Sequence, residues 1–562
     1  MKRRGKWIVL AVVVFVLIIA IYLGFSNRLP AGSVLVLDLS GSIEEEKASG
    51  AWGAALGGDI TVLHQLLDAI DTAKSDPKIA GLVVKVADPG ARWAKLQEIR
   101  DHLLEFRKSG KPSVAYLSSD FSFNRDFFLA TGCEQVWISP SSPLTITGLM
   151  AESHFYRGMF EKLKIVPDYV RVAEYKTAVD QYTEKKYTAT NREMSEWLMR
   201  STYDQYASGL AQGRKMDLDR ARSLLEKGPF LAEEGMQNKL VDRLAYWDEV
   251  QSYFRQKTGE WRPVELSRYA RQIKNLGMDK IAIVHATGVI IVGHSDWTPF
   301  AGFLAGSTTV AADLRRARED SSVKAIILRV DSPGGSVVAS DIIRREVQLA
   351  AKEKPLVVSM SDLAASGGYY ISMPANKIIA EPGTLTGSIG VYVGKFNIEG
   401  FYELLGISSD HLQTSDNASL FWERQAFTPA QRAAVVKMVN QVYADFTRGV
   451  AEGRHMKQED VDKVGRGRVW TGLQGKENGL VDEIGGLSRA VSVAKALAKM
   501  DPQARVQLVH YPREKGFLES LLSSNDERQG LSAASIAAAL KSTAARMSNP
   551  IQVRMPFDLD IR

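Results

Sequence analysis

Cysteine is almost absent from this chain, which has a single one, Cys133, among its 562 residues. A lone cysteine excludes disulfides within the chain and any cysteine-rich metal site. Histidine is also sparse, since only eight are present and none belongs to an HExxH motif or another metal-ligand spacing. Charge of one sign is not concentrated either, because the net charge of +6 is spread along the chain and no nucleic-acid motif accompanies it. We therefore expect no metal, no cofactor and no nucleic-acid partner.

Long apolar runs are missing except near the N-terminus, where WIVLAVVVFVLIIAIYL (7–23) follows the basic stretch MKRRGK. A run of this length suits a bilayer-spanning helix of about 20 residues. A secretory signal peptide is the competing interpretation, but GFSNRLPAGS, which follows the run, offers a poor cleavage site. We predict an uncleaved single-span anchor in residues 1–27. Its basic end should stay in the cytoplasm, with the rest of the chain across the membrane.

A faint internal repeat runs through the remaining chain. Three pairs of segments carry it: KVADPGA (85–91) with RVDSPGG (329–335), ITG (146–148) with LTG (385–387), and LVD (240–242) with LVD (480–482). Their constant order and nearly constant offset of about 240 residues are what a duplication produces. The predicted domains are the anchor (1–27), an N-terminal repeat (28–270), a C-terminal repeat (271–512) and a Ser/Ala-rich extension (513–562) with an amphipathic stretch at 532–547.

Short apolar strands alternate with helical patterns in both repeats, which predicts an α/β architecture with largely parallel sheets. In the first repeat we predict strands at 33–39, 80–87, 113–118 and 135–139, and helices at 61–74, 92–108, 123–132 and 191–213. In the second we predict a β-rich run at 281–292, strands at 325–330, 356–359 and 377–381, and helices at 308–319, 337–352 and 429–454, with another opening near Ala365.

Two glycine-containing segments of the second repeat could carry chemistry: DSPGGS (331–336) and AASGGY (364–369). Ser366 would stand at a strand-to-helix turn, where the backbone N–H of Gly367 can face a developing oxyanion. A Gly-Gly loop can bring a second N–H close because it has no Cβ. Singly, each segment could be a tight glycine turn. Together in one α/β unit, they point to a nucleophilic serine with an oxyanion loop.

A serine nucleophile needs a base to remove its proton. Histidine is the usual base, but none occurs between Ser366 and His411. His285 and His294 flank a predicted strand, where we expect structural roles. A neutral lysine could serve instead, since burial can bring the pKa of a lysine down from about 10.4 towards neutrality. The residue pattern alone does not select which lysine.

Three segments, RVAEYKTAVDQY (171–182), RVDSPGGSV (329–337) and SDLAASGGYYISMPANKIIAEPGTLTGSIGV (361–391), resemble the bacterial signal peptide peptidase A family, peptidase family S49, in its long duplicated form. The resemblance implies two tandem Clp-protease/crotonase-like α/β domains behind an N-terminal transmembrane helix. By position, it implies that Ser366 is the nucleophile and Lys176 the general base. It also implies that the oxyanion is held by Gly367 and by Gly335 or its neighbour Gly334.

The same resemblance implies a membrane-anchored serine endopeptidase that hydrolyses cleaved signal peptides and other apolar peptides through an acyl-enzyme. It implies a homo-oligomer, a tetramer in the family, in the bacterial inner membrane with its catalytic domains on the periplasmic side. A catalytically inactive membrane scaffold and a crotonase-like acyl-CoA enzyme are the alternatives. Retention of both Ser366 and Lys176 argues against the scaffold. The anchor and the lack of a basic CoA pocket argue against the acyl-CoA enzyme.

The repeat provides an internal check on this pair. Shifting Ser366 back by 242 residues reaches Asn124, and shifting Lys176 forward by 241 reaches Asn417. Each repeat therefore keeps one partner, which predicts one composite site at the boundary between the repeats.

Asp331 precedes the glycine loop where some relatives have asparagine, and we expect its side chain to cap that turn.

Overall fold

The computed structural model describes residues 29–48, 60–273 and 277–512, and two short strands at 551–554 and 560–561. The predicted anchor (1–27) and the amphipathic stretch at 532–547 lie outside these residues. Within the described part of the chain, no helix combines the length and the apolarity that crossing a membrane requires.

The first repeat forms a parallel sheet whose central strands are apolar on both faces, as sheets covered by helices require. The strands of this repeat, not all of which belong to that sheet, are β1 (Ser33–Glu44), β2 (Thr61–Val62), β3 (Ile79–Gly90), β4 (Ser113–Leu117), β5 (Ser122–Phe123), β6 (Gln135–Ile138), β7 (Leu144–Thr145), β8 (Ala151–Glu152), β9 (Val166–Arg171), β10 (Arg243–Leu244) and β11 (Pro263–Glu265). Its helices are α1 (Leu63–Ser75), α2 (Trp93–Arg107), α3 (Asn124–Ala130), α4 (Arg157–Lys162), α5 (Asp180–Thr183), α6 (Ala189–Arg214), α7 (Leu218–Lys227), α8 (Ala232–Gln237), α9 (Trp247–Thr258) and α10 (Leu266–Ala270).

The second repeat forms another mainly parallel sheet. The strands of this repeat, not all of which belong to that sheet, are β12 (Asp279–Thr287), β13 (Val289–Ile291), β14 (Asp296–Thr298), β15 (Gly302–Gly306), β16 (Val323–Ser332), β17 (Gly334–Ser336), β18 (Leu356–Ala365), β19 (Lys377–Ala380), β20 (Leu385–Gly387), β21 (Tyr392–Asn397), β22 (Val469–Thr471), β23 (Glu483–Ile484) and β24 (Val506–Tyr511). Its helices are α11 (Ser307–Glu319), α12 (Val337–Glu353), α13 (Gly367–Ser372), α14 (Glu399–Leu404), α15 (Pro429–Arg454), α16 (Gln458–Val464), α17 (Gly472–Glu477) and α18 (Leu487–Leu497).

Strand order supports the duplication inferred from the repeat. The first sheet runs β10-β6-β4-β3-β1-β11, and the second contains the path β23-β19-β18-β16-β12-β24. Corresponding strands lie about 240 residues apart, so the two sheets have the same topology. The exact boundary between the repeats remains a prediction.

The long helices α6 and α15 begin alike because both have a threonine cap. The Thr188 hydroxyl accepts from the Asn191 N–H, and the Thr428 hydroxyl accepts from the Gln431 N–H with Pro429 in the first turn. The predicted β-rich run at 281–292 is interrupted by Gly288, which has φ +86°. A Cβ there would lie 1.7 Å from the Phe303 carbonyl oxygen, so only glycine fits this bend.

A third sheet takes strands from both repeats and from the C-terminal extension. Its order is β14-β15-β13-β17-β25-β21-β9, where β25 is Ile551–Arg554; the extension also supplies β26, Asp560–Ile561, which pairs with β8. The antiparallel pair β9–β21 joins the two repeats directly over six residue pairs, from Tyr392–Arg171 to Asn397–Val166.

Buried ion pairs cross the same boundary. The Arg329 side chain, on β16, donates to Glu45 at 2.9 Å and to Glu98 at 2.7 Å, and all three side chains are almost completely buried. The two repeats are therefore joined by backbone pairing and by interior charge.

Candidate active site

Ser366 lies at the turn between β18 and α13, as the sequence predicts. Its backbone has φ 56° and ψ −110°, a conformation that non-glycine residues rarely adopt. The turn is fixed on both sides, because the Ser366 N–H donates to Gly387 at 2.8 Å and the Ser366 carbonyl accepts from the Tyr370 N–H at 2.8 Å. Strained conformations that the surroundings enforce in this way are concentrated at functional sites.

Lys176 comes from the other repeat, between β9 and the 3-10 turn Thr177–Val179. Its side chain is fully buried, and its Nζ lies 2.8 Å from Ser366 Oγ. The same Nζ lies 2.9 Å from Ser388 Oγ and 3.0 Å from the Ser388 carbonyl oxygen. Burial lowers the pKa of Lys176 well below its ordinary value, because the charged form loses its hydration.

Glycines create the space that Lys176 occupies. A Cβ on Gly467 would lie 2.4 Å from the Lys176 backbone nitrogen, and one on Gly390 would lie 3.2 Å from its Cδ. The lysine stem is therefore enclosed by backbone, which keeps water from its amine and maintains the lowered pKa.

The glycine loop contacts the serine turn. A Cβ on Gly367 would lie 3.0 Å from Gly334 Cα and 3.1 Å from the Gly335 backbone nitrogen. A Cβ on Gly335 would lie 2.1 Å from the Ile290 carbonyl oxygen, so β17 tolerates only glycine there. The Gly334 N–H already donates to Ser332 Oγ at 3.1 Å. The glycine loop at Gly334 and Gly335 therefore lies directly against the serine turn at Gly367.

Asp331 does not cap its own turn, contrary to our expectation. Its carboxylate accepts from the Leu363 N–H at 3.0 Å and pairs with Lys95 Nζ at 2.8 Å. This ion pair joins Lys95 of the first repeat to Asp331 of the second. Asp331 is also not among the groups that shift the pKa of Lys176.

The first repeat carries a substitute for the serine. Asn124 Nδ2 donates to the Gly148 carbonyl at 2.7 Å, just as Ser366 Oγ faces the Gly390 carbonyl at 3.5 Å. Asn417, the counterpart of Lys176, is exposed in a loop rather than buried.

Ser388 was not predicted as a site residue, although its segment LTGSIGV lies within the stretch that carries the resemblance. Nothing in its sequence neighbourhood marks its contact with a lysine 212 residues away.

A cavity of about 870 Å³ opens beside this group of residues and is lined by both repeats. The lining includes one residue from each neighbouring element: Ala178 from the lysine turn, Pro333 from the glycine loop and Leu363 from β18. Its lining also contains charged side chains, including Lys95 and Asp362. The cavity is large enough for several residues of an extended peptide, and its walls are of mixed polarity.

The groove next to the glycine loop is occupied by the chain itself. Strand β25 pairs antiparallel with β17, with Gly335 opposite Val553, and also with β21, with Tyr392 opposite Gln552. An extended segment thus fits between these two strands. The sequence assigned no strand to this part of the extension.

A buried serine at a strand-to-helix turn, in hydrogen-bond contact with a buried amine, is typical of hydrolases that use a serine nucleophile. Comparisons with known proteins agree. The model of peptidase family S49 matches residues 105–259 and 348–501, once in each repeat. Serine protease SPPA, chloroplastic, of Arabidopsis thaliana is 33% identical over 510 residues, covering 88% of this chain and 74% of the relative. Protease 4 of Salmonella typhi is 33% identical over 528 residues, covering 89% of this chain and 84% of the relative.

Protease 4 of Haemophilus influenzae is 31% identical over 532 residues, covering 88% of this chain and 84% of the relative. Among solved structures, ClpP1 from Listeria monocytogenes is 16% identical, with 36% of this chain and 89% of that chain covered at a TM-score of 0.23, too low for any structural conclusion. The chain belongs to peptidase family S49. It is a serine protease with a mixed α/β fold.

Proposed function

We propose that this protease cleaves peptide bonds with a Ser366–Lys176 dyad assembled from the two repeats. The observation that carries the proposal is the 2.8 Å contact between the buried Lys176 Nζ and Ser366 Oγ. The lowered pKa of Lys176, caused by burial, favours the neutral amine that a general base requires. A neutral amine has two N–H donors and one lone pair. Its donors can serve the Ser388 carbonyl and hydroxyl, which leaves the lone pair for the Ser366 proton.

The reaction then follows from this geometry. Lys176 Nζ takes the Ser366 proton while Oγ attacks the substrate carbonyl carbon. The oxyanion that forms is stabilised by the N–H groups of Gly335 and Gly367, each worth about 3–4 kcal/mol in the transition state. Collapse breaks the C–N bond, and the leaving amine takes the proton from Lys176. In deacylation Lys176 takes a proton from a water while the water oxygen attacks the acyl carbon. The ester bond to Ser366 Oγ then breaks, Oγ takes the proton back from Lys176, and the carboxylic acid product leaves.

The pairing of β25 supports a mode of substrate binding. A peptide that replaced β25 would add a strand beside Gly334–Ser336 and would place its backbone next to Ser366. We infer that substrates are extended peptides, with cleaved signal peptides and other apolar peptides as the preferred class. We also propose that residues 1–27 anchor the enzyme in the bacterial inner membrane, that the tandem Clp/crotonase-like repeats face the periplasm, and that the enzyme is a homo-oligomer, with four subunits expected from the family.

Substitutions of the dyad test the mechanism. Purified protein is assayed on fluorogenic apolar peptides, and Ser366→Ala and Lys176→Ala should each reduce kcat/KM by at least about 1,000-fold. Ser388→Ala should reduce kcat by about 10–100-fold, because Lys176 loses one hydrogen-bond partner that orients it. Ser492→Ala and Lys354→Ala are matched controls away from the site and should keep full activity. Full activity in Lys176→Ala would refute the assignment of the base.

A further inference from the structure

Three histidines from distant parts of the chain meet at the boundary between the repeats. His64 lies in the first turn of α1, His285 on β12 and His510 on the neighbouring strand β24. Each offers a ring nitrogen, and the three nitrogens lie within 4.8 Å of one another. Within the described part of the chain, no other group of three histidine, cysteine or carboxylate side chains converges in this way.

We propose that these three imidazoles bind one divalent transition-metal ion, of the type represented by Zn²⁺. Three imidazole nitrogens with a fourth position left for water form a common zinc coordination sphere. Neither the protease mechanism nor the oxyanion loop uses these residues, so the proposed site is separate from the active site.

The distances suit an ion after a small adjustment. His285 Nε2 lies 3.0 Å from His510 Nδ1, as two rings that share one proton. Two nitrogens on one tetrahedral Zn²⁺ are about 3.3 Å apart, given Zn–N bonds of about 2.0–2.1 Å. An ion can therefore replace the shared proton with a slight separation of these rings. The His64 ring stacks on His510 at 3.9 Å and must turn about its side-chain bonds to join them.

The surroundings leave one ring nitrogen of His285 without a partner. His285 is 4% exposed, and its Nδ1 has no hydrogen-bond partner. The Glu45 carboxylate and the Arg329 guanidinium both lie near His285, and because they pair with each other their charges are balanced there.

The proposed ion has a structural role. It would join α1 of the first repeat to β12 and β24 of the second, close to the Arg329–Glu45 ion pair. No sequence motif marks such a site, because 225 residues separate His285 from His510.

Metal binding to the full chain tests the proposal. Protein purified through a tag without histidine is treated with EDTA, dialysed, and titrated with Zn²⁺ by calorimetry and with Co²⁺ by visible absorption. We expect one ion per chain and the intense Co²⁺ spectrum of a four-coordinate site. Zn²⁺ should also raise the Tm. His64→Gln and His510→Gln should each weaken binding at least ten-fold and abolish the Tm rise, whereas His294→Gln, on an exposed loop, should bind as the wild type does.

Absence of saturable binding, or unchanged affinity in the folded His64→Gln variant, would overturn the proposal. If His510→Gln does not fold, His64→Gln alone decides the result, because His64 is only half-buried at the start of its helix. A Ser366→Ala chain should bind the ion normally, so failure of the protease mechanism and failure of the metal site give different results.

Discussion

At the scale of single residues, Lys176 is the most consequential side chain. It is fully buried, and its amine contacts only serine oxygens in the polar contacts that the structure records. An ion-paired lysine would keep its proton, whereas this one is desolvated and gives up its proton easily.

The pH dependence of the rate should reflect this lowered pKa. Because neutral Lys176 is the proposed base, kcat/KM should rise with pH as the amine loses its proton and level off well below pH 10.4, the ordinary lysine value. A pH–rate profile on a fluorogenic peptide measures this directly. An activity that rose only near pH 10 would contradict the lowered pKa.

Lys176→Met should make the protein more stable while abolishing activity. In the window between the folded-state pKa of Lys176 and about pH 10.4, the unfolded chain binds a proton that the folded chain does not, so lysine lowers stability as pH falls. Methionine removes this cost and nearly fills the same volume. Denaturant unfolding at pH 7 and pH 10.5 should show a stability gain that shrinks at the higher pH. A variant no more stable than the wild type at pH 7 would contradict burial as the cause.

At the scale of elements, the glycine loop on β17 has the least tolerance for change. In Gly335→Ala the new methyl would meet the Ile290 carbonyl oxygen at 2.1 Å, which forces β17 away from β13. We expect a loss of about 1–3 kcal/mol in stability and a far larger relative loss of activity, because the oxyanion N–H is displaced. Gly158→Ala is the matched control, since a Cβ there meets nothing within 4 Å. Equal activity of the two variants would argue against Gly335 in the oxyanion loop.

Elements with strong local signals could be predicted from sequence. The predicted helices at 191–213 and 429–454 differ little from α6 and α15, because threonine caps and apolar periodicity fix them locally. The predicted strand at 356–359 is too short, since β18 continues to Ala365. Its later residues are held by pairing with β20, and such pairing is not encoded in the strand itself.

Elements that depend on distant partners could not be predicted. The β9–β21 pair and the insertion of β25 depend on how the repeats and the extension meet. For the candidate site, the proposed nucleophile, Ser366, could be predicted from its glycine turn. The lysine required family resemblance, and the contact of Ser388 required coordinates.

At the scale of the whole molecule, buried charge joins the repeats. Arg329→Met leaves Glu45 and Glu98 without their cation, and breaking a buried pair in this way costs about 3–5 kcal/mol. Denaturant unfolding should show this loss. The control Arg192→Met, which breaks a pair with Glu196 that is exposed on both sides, should cost less than about 1 kcal/mol. Similar losses in the two variants would argue against a special role for the interior pairs.

Strand β25 occupies the proposed substrate groove and could compete with substrate there. A segment of the chain lies in the groove where we place the substrate backbone, so each molecule contains its own competitor. A chain that ends at residue 512 should bind peptides with a lower KM and an unchanged kcat, measured against the full chain on the same fluorogenic substrate. Equal KM values would exclude competition by the strand.

If that competition operates, sensitivity to substrate is set by effective concentration rather than by affinity alone. A tethered strand presents itself to its own groove at about millimolar effective concentration, so even weak docking raises the apparent KM by the factor one plus that concentration over its dissociation constant. Scarce or poorly fitting peptides would then be ignored, while abundant or well-fitting ones would displace the tail. By raising the apparent KM, the extension would favour proteolysis of peptides that have accumulated or that fit the groove well.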